Sequence, residues 1–214
     1  MQFKDRHEAG KALAKALLAY KQLNDAIVLG LPRGGVVMAY EIAVALKLPL
    51  DVFLVRKLGV PGQEELAFGA IASGGITYLN EDIVRSCAMS ESAKAHMIQQ
   101  EQKELIRRDQ VYRQGREFPD LQDKTVILVD DGIATGATLL AAVRGLRKTQ
   151  QPDKIITAVP VAPSSAVKKL RSEVDKMICL LIPEFFSSIG QFYVNFEQVE
   201  DEEVLQLLKK VTDI

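Results

Sequence analysis

The feature that most constrains the fold of this chain is the alternation of short apolar runs with segments of helical periodicity. The runs AIVLG at 26–30 and LDVFLV at 50–55 read as strands, and VVMAYEIAVALK at 36–47 between them repeats apolar residues at helical spacing. A strand, a helix and a second strand in this order form a βαβ unit, whose strands are parallel.

Three further strand-like runs extend this pattern, separated by helical stretches at about 137–149 and 164–174. These runs are TVILV, KIITAVPV and KMICLLI. Strands that alternate with helices in this way predict an α/β fold with a doubly wound, mainly parallel sheet. Two segments depart from the alternation. Residues 66–80 contain a Gly-Gly pair typical of a hairpin, and residues 81–116 form a polar helical insertion.

Composition limits the class of protein. With 214 residues, 48% of them hydrophobic, the chain can bury the core of one domain with a small appended subdomain. The 27 basic and 28 acidic residues give a formal net charge of -1, so we expect no nucleic-acid partner. No apolar run reaches the ~20 residues that cross a bilayer, so we expect no membrane partner. Cys87 and Cys179 fit core packing in a reducing compartment, and we expect a cytoplasmic protein.

The end of the chain differs in composition from the rest. Five of the thirteen aromatic residues lie between positions 185 and 196, and a helical stretch with acids first and lysines last follows them. We therefore predict a core domain over residues 1–182, which includes the insertion at about 81–116, and a C-terminal segment over residues 183–214.

The stretch TVILVDDGIATGAT at 125–138 ends a strand with two adjacent acids, Asp130 and Asp131, and continues into a loop of small residues. Ligands of open parallel sheets bind beyond the carboxyl ends of the strands. Loop amides, the positive end of the next helix and the hydroxyls of Thr135 and Thr138 suit a phosphate monoester. We call residues 132–138 the phosphate loop.

The two acids, which we call the acid pair, would repel that phosphate. They must therefore face a part of the ligand that donates hydrogen bonds, and a vicinal ribose diol does so. The loop also lacks the lysine that a Walker P-loop extends to its phosphates, which argues against a nucleoside triphosphate site.

The segment VILVDDGIATGAT resembles the ribose-phosphate signature of the type I phosphoribosyltransferases, which use 5-phosphoribosyl-1-pyrophosphate (PRPP) with Mg²⁺. The resemblance implies that Asp130 and Asp131 bind the ribose. The residues that it assigns to the 5′-phosphate are Ile133, Ala134, Thr135, Gly136, Ala137 and Thr138. The segment GLPRGG at 30–35 is similar to the pyrophosphate loop of the family, and its predicted ligand-binding residues are Pro32, Arg33, Gly34 and Gly35.

The resemblance extends to the catalytic residues. Arg56 and Lys57 match a pair that orotate-type members carry beside a mobile loop, and we expect residues from about 57 to 75 to close over PRPP. Departure of pyrophosphate separates charge, so positioned cations and Mg²⁺ can act without a protein nucleophile. No residue is assigned as a direct Mg²⁺ ligand. Ala134 stands where hypoxanthine- and guanine-type members carry an acid, which leaves Glu64 or Glu65, in the loop, as the acid/base candidate, and we select Glu65.

The family covers its base site with a variable hood, which we predict in the C-terminal segment. Phe185, Phe186 and Tyr193 are candidates to stack on the base, although packing of the C-terminal helix on the sheet explains them equally well. The leading hypothesis is transfer of 5-phosphoribosyl from PRPP to a small nitrogenous base, in nucleotide metabolism. The alternative is a PRPP-sensing regulator that binds RNA or DNA. A homodimer is compatible with either.

Overall fold

The computed structural model describes residues 2–60, 63–87 and 89–212, apart from the side chains of residues 63–66 and 212. The helices are α1 (Arg6–Ala16), α2 (Gly34–Leu46), α3 (Glu81–Ser86), α4 (Glu91–Arg113), α5 (Ala137–Thr149), α6 (Ser164–Arg171) and α7 (Asp201–Thr212). The strands are β1 (Ala26–Gly30), β2 (Leu50–Val52), β3 (Val55–Val60), β4 (Gln63–Ala72), β5 (Ile76–Leu79), β6 (Thr125–Val129), β7 (Lys154–Val161) and β8 (Lys176–Leu181).

The chain forms two compact units. The first comprises Met1–Phe53, Leu121–Gly136 and Pro152–Ile214, and the second comprises Leu54–Asp120 and Ala137–Gln151. The C-terminal segment belongs to the first unit. Within the described residues, no helix is both long and apolar enough to span a membrane.

The first unit is built on a five-stranded parallel sheet in the order β2–β1–β6–β7–β8, which confirms the predicted α/β fold. Strands β1 and β6 are buried along their whole length, because each is an unbroken apolar run covered on both faces. The two strands pair in register from Ala26 with Thr125 to Gly30 with Val129, so they end side by side.

The order of the strands reverses between β1 and β6. From β1 the chain continues outward to β2, whereas from β6 it continues in the other direction to β7 and then β8. In open α/β sheets such a reversal leaves a crevice beyond the carboxyl ends of the two strands, and ligands bind there. The loops that follow Gly30 and Val129 begin at this crevice.

The second unit contains the antiparallel sheet β3–β4–β5 with α3, α4 and α5. The hairpin expected around the Gly-Gly pair is confirmed, because β4 turns into β5 through Ser73–Gly75, where Gly74 has a φ of 75°. The polar insertion is likewise helical, as α3 and α4.

Within residues 57–75, which we expect to close over PRPP, the described residues form the end of β3, β4 and the turn after it. Strands β3 and β4 pair from Val55 with Ala72 to Val60 with Gln63, and the two residues between the strands lie outside the described part of the chain. A Cβ atom on Gly69 would lie 2.4 Å from the carbonyl oxygen of Tyr78 on β5. This glycine therefore permits close packing of two strands.

Candidate functional site

The loops after β1 and β6 lie against each other at the switch point of the sheet. The amide of Leu31 donates to the carbonyl oxygen of Val129 at 2.9 Å. A Cβ atom on Gly35 would lie 2.6 Å from that same carbonyl oxygen and 3.0 Å from the Cα of Asp130. A Cβ atom on Gly34 would lie 2.0 Å from Oδ2 of Asp131. Both glycines are thus explained by close approach of the predicted pyrophosphate loop to the acid pair.

Arg33 lies immediately before α2, and its peptide bond with Pro32 is cis. Its side chain is about one-third exposed, and Nη1 lies 3.5 Å from Oε2 of the exposed Glu200. Ion pairs between solvent-accessible groups contribute little to stability. An anionic ligand can therefore replace Glu200 as the partner of Arg33 at small cost.

The acid pair is held by the backbone around it. The amide of Asp131 donates to Oδ1 of Asp130 at 2.8 Å, and the amide of Asp130 donates to Ala158 O at 3.4 Å. Burial and the neighbouring Asp131 raise the pKa of Asp130 well above its ordinary value. Burial also raises the pKa of Asp131, although the Arg6 guanidinium opposes this shift. Two carboxyl groups in such surroundings require hydrogen-bond donors if both are to be ionised.

Arg6, the first residue of α1, supplies donors to the acid pair. Its Nε donates to Oδ2 of Asp131 at 2.9 Å and its Nη1 donates to the carbonyl oxygen of Glu197 at 2.7 Å. The guanidinium carbon lies 3.9 Å from the centre of the Phe196 ring. The sequence analysis missed Arg6, which is 125 residues from Asp131. The sequence contains one indication of such a contact: Arg6 is a cation in the first turn of a helix, where it opposes the helix dipole and gains from an acidic partner.

Tyr193 of the C-terminal segment also contacts the acid pair. Its hydroxyl donates to the carbonyl oxygen of Asp131 at 2.7 Å. Its ring is buried, with the ring centres of Phe3 and Phe196 at 5.8 Å and 4.8 Å. Burial raises the pKa of Tyr193 far above its ordinary value, so the hydroxyl remains a donor. These contacts give Tyr193 a role in holding the acid pair, and they leave its ring little room to stack on a base.

The two other aromatic candidates differ in exposure. The Phe186 ring stacks on Phe192 with 5.7 Å between ring centres, whereas Phe185 is 83% exposed. Backbone hydrogen bonds of 2.8 Å, from the Phe3 amide to Phe192 O and from the Val194 amide to Phe3 O, join this segment to the start of the chain. Phe185 is thus the candidate with an open ring.

The phosphate loop is anchored near its start, at Ile133. Ile133 is buried and its amide donates to Val161 O at 3.0 Å, so this amide already has a partner. Gly136 has a φ of 79°, which residues with a side chain rarely adopt, and this turns the chain toward α5. Ala134 and Thr135 are exposed. Helix α5 begins at Ala137, and Thr138 lies in its first turn.

The predicted catalytic cations lie in the second unit, on β3. Nε of Arg56 donates to Oε2 of Glu101 on α4 at 2.5 Å, and Nη2 lies 2.5 Å from the same oxygen. Lys57 is half-buried. The side chain of Glu65 lies outside the described residues. The catalytic roles of these three residues remain predictions.

A protein-held metal centre finds no support in the described part of the chain. Among the described side chains, those of residues 2–60, 67–87 and 89–211, no three His, Cys, Asp or Glu come together in a way that could hold a metal ion. Mg²⁺ binds through few protein groups when phosphate oxygens supply most of its ligands.

The fold and the site define an open α/β protein whose site lies at the switch point of its sheet. The family model of the phosphoribosyl transferase domain matches residues 2–197. The chain therefore belongs to the phosphoribosyl transferase domain family, and the resemblance to type I phosphoribosyltransferases is confirmed.

Two similar proteins, from Mycobacterium tuberculosis strains CDC 1551 and H37Rv, are named as candidate phosphoribosyl transferases. Each is 43% identical to this chain over 208 residues, or 97% of this chain. The match covers 46% of each relative, so the chain spans about half of their length.

Solved structures share the fold. The crystal structure of TT1426 from Thermus thermophilus is 38% identical, with a TM-score of 0.88, and the match covers 98% of this chain and 99% of that one. The AQ2163 protein of Aquifex aeolicus is 15% identical with a TM-score of 0.52, and the match covers 86% of this chain and 78% of that chain. The second likeness shows the fold alone.

Proposed function

We propose that this domain transfers the 5-phosphoribosyl group from PRPP to a small nitrogenous base and releases pyrophosphate. The observation that carries the proposal is the packing of Gly34 and Gly35 directly against Asp130 and Asp131. A loop that presents backbone amides and an acid pair that accepts hydrogen bonds thus share one crevice. Pyrophosphate on C1 of a ribose and the ribose diol beside it are adjacent in PRPP in the same way.

In this reaction the bond between C1 of the ribose and the pyrophosphate oxygen breaks, and a bond from C1 to a nitrogen of the base forms. The base nitrogen loses a proton, and pyrophosphate leaves with the bonding electrons. Positive charge develops on the ribose and negative charge on the leaving group. The acid pair holds the ribose by its diol, close to the developing positive charge, while Arg33 and the amides of the pyrophosphate loop face the leaving group. Mg²⁺, when bound with PRPP, neutralises part of the pyrophosphate charge.

The residues proposed for the 5′-phosphate and for the base are chosen by the exposure of their side chains. For the 5′-phosphate we propose Ala134 and Thr135, because they are exposed residues of the phosphate loop whereas Ile133 is buried. Phe185 is the proposed stacking surface for the base. Arg56 and Lys57 are proposed to act on the leaving group, as the family resemblance implies.

The test is a panel of purine and pyrimidine bases with PRPP and Mg²⁺, in which pyrophosphate release is measured. We expect release with at least one base, and we expect Asp130→Asn and Asp131→Asn to weaken PRPP binding with the fold retained. Hydrogen bonds to charged groups contribute about 1.5–3 kcal/mol, so each loss is roughly tenfold to a hundredfold.

Asp153→Asn is the matched control, because Asp153 is an exposed acid that pairs with Lys154 away from the acid pair. PRPP binding without turnover on any base would favour the sensor alternative. Unchanged PRPP affinity in both acid-pair variants would remove the ribose assignment.

A further inference from the structure

We propose that Arg6 is a positioning residue of the ribose site, which holds the Asp131 carboxylate for the diol and links it to the C-terminal segment. The proposal rests on the proposed function, since it concerns the same ligand. Arg6 itself need not touch the ligand. Its effect passes through Asp131, which the family signature contains, whereas Arg6 lies far outside that signature.

The Arg6 side chain has three partners. Its Nε donates to Asp131 Oδ2 at 2.9 Å, its Nη1 donates to Glu197 O at 2.7 Å, and its guanidinium lies over Phe196 at 3.9 Å. The side chain is only 11% exposed. A planar guanidinium can hold two acceptors and a ring face at once in fixed directions, which an ammonium group cannot.

Arg6 occupies one of the two oxygens of the Asp131 carboxylate. A carboxylate accepts hydrogen bonds at both oxygens. With Oδ2 of Asp131 held by Arg6, Oδ1 can accept from a ribose hydroxyl in a defined orientation. The Tyr193 hydroxyl, which donates to the carbonyl oxygen of Asp131, fixes the backbone of the same residue. Side chain and backbone of Asp131 are therefore held from two sides.

The pyrophosphate loop packs against the ion pair of Arg6 and Asp131. A Cβ atom on Gly34 would lie 2.0 Å from Asp131 Oδ2 and 2.6 Å from Arg6 Nε. The pyrophosphate loop, Asp131 and the C-terminal segment consequently meet at Arg6. All of these groups belong to the first unit.

The protonation of Asp131 depends on the charged groups around it. The titratable groups that face Asp131 are Asp130 beside it, Arg6 from α1 and the phenol of Tyr193 from the C-terminal segment. Arg33, on the pyrophosphate loop, is directed to Glu200. Burial raises the pKa of Asp131, and the guanidinium opposes this. Removal of the guanidinium should raise the pKa of Asp131 further. A larger fraction of Asp131 is then protonated at a given pH, and a protonated carboxyl group accepts hydrogen bonds from the diol less well.

The experiment measures ribose 5-phosphate binding by calorimetry from pH 5 to pH 9, for the wild type, Arg6→Met and Arg6→Lys. Arg85→Met is the control, because Arg85 forms an exposed ion pair with Asp82 in the second unit. The ligand needs no metal ion, and titration of its phosphate is common to all proteins.

For Arg6→Met we expect a roughly tenfold to hundredfold loss of affinity at low and neutral pH that diminishes as the pH rises. For Arg6→Lys, which keeps the charge, we expect a smaller loss and the pH profile of the wild type. Arg85→Met should bind as the wild type does.

Failure of wild-type protein to bind ribose 5-phosphate or PRPP would overturn the proposed function itself. Wild-type binding together with an unchanged affinity and pH profile in Arg6→Met would overturn only the role of Arg6. An equal loss at every pH in both Arg6 variants would show a structural role and would also overturn it. If Arg6→Met does not fold, Arg6→Lys decides alone, and unchanged affinity in that variant contradicts the proposal.

Discussion

Gly34→Ala tests whether the pyrophosphate loop and the acid pair form one site. The new methyl group would lie 2.0 Å from Asp131 Oδ2 and 2.6 Å from Arg6 Nε, whereas ordinary contacts begin at 3.4 Å. The carboxylate oxygen must therefore retreat by about 1.4 Å, which is enough to break its 2.9 Å hydrogen bond with Arg6. A hydrogen bond between charged groups contributes about 1.5–3 kcal/mol, so ribose 5-phosphate and PRPP should bind roughly tenfold to a hundredfold more weakly.

The global fold should survive Gly34→Ala, because both neighbours are ends of side chains that can move. Gly35→Ala provides the contrast, since its methyl group would meet the carbonyl oxygen of Val129 at 2.6 Å, and this backbone cannot yield. Overpacking of this kind costs about 1–3 kcal/mol. For a chain of this size that lowers the Tm by roughly 2–12 °C.

Differential scanning calorimetry and titration with ribose 5-phosphate separate the two effects. Gly34→Ala should lose affinity more than stability, and Gly35→Ala should lose stability as well. If Gly34→Ala binds ribose 5-phosphate as tightly as the wild type, the reasoning that joins the two loops is refuted.

Three other predictions concern separate parts of the chain. Thr135→Val should weaken the binding of ribose 5-phosphate and of PRPP alike, whereas Arg33→Ala should weaken only the binding of PRPP. Equal losses of affinity for both ligands in Arg33→Ala would contradict a pyrophosphate role. Arg56→Ala should lower turnover more than PRPP affinity, measured by pyrophosphate release and calorimetry, because the charge matters most as the leaving group departs. Burial raises the pKa of Cys179 to about 11, so about one thiol in a thousand is ionised at pH 8. Iodoacetamide should therefore label Cys179 only after unfolding in urea, which mass spectrometry measures.

Much of the fold could be predicted from local patterns. The apolar runs at 26–30 and 125–129 are strands with the predicted bounds, because an unbroken apolar run between polar turns can be buried only in the middle of a sheet. The acid pair follows β6 directly in the chain, so its position at the carboxyl edge was also predictable. The run at 50–55 was less well predicted, since β2 ends at Val52 and β3 begins at Val55.

The sequence by itself determined the alternation of strands and helices and the position of the acid pair directly after β6. These features depend on periodicity and chain order, which are local. Only the tertiary structure decided that Arg6 and Tyr193 hold Asp131, because these contacts depend on how α1 and the C-terminal segment dock. It also decided that β4 begins at Gln63 and that Gly69 packs against β5, because the neighbours of a glycine depend on how the strands pair.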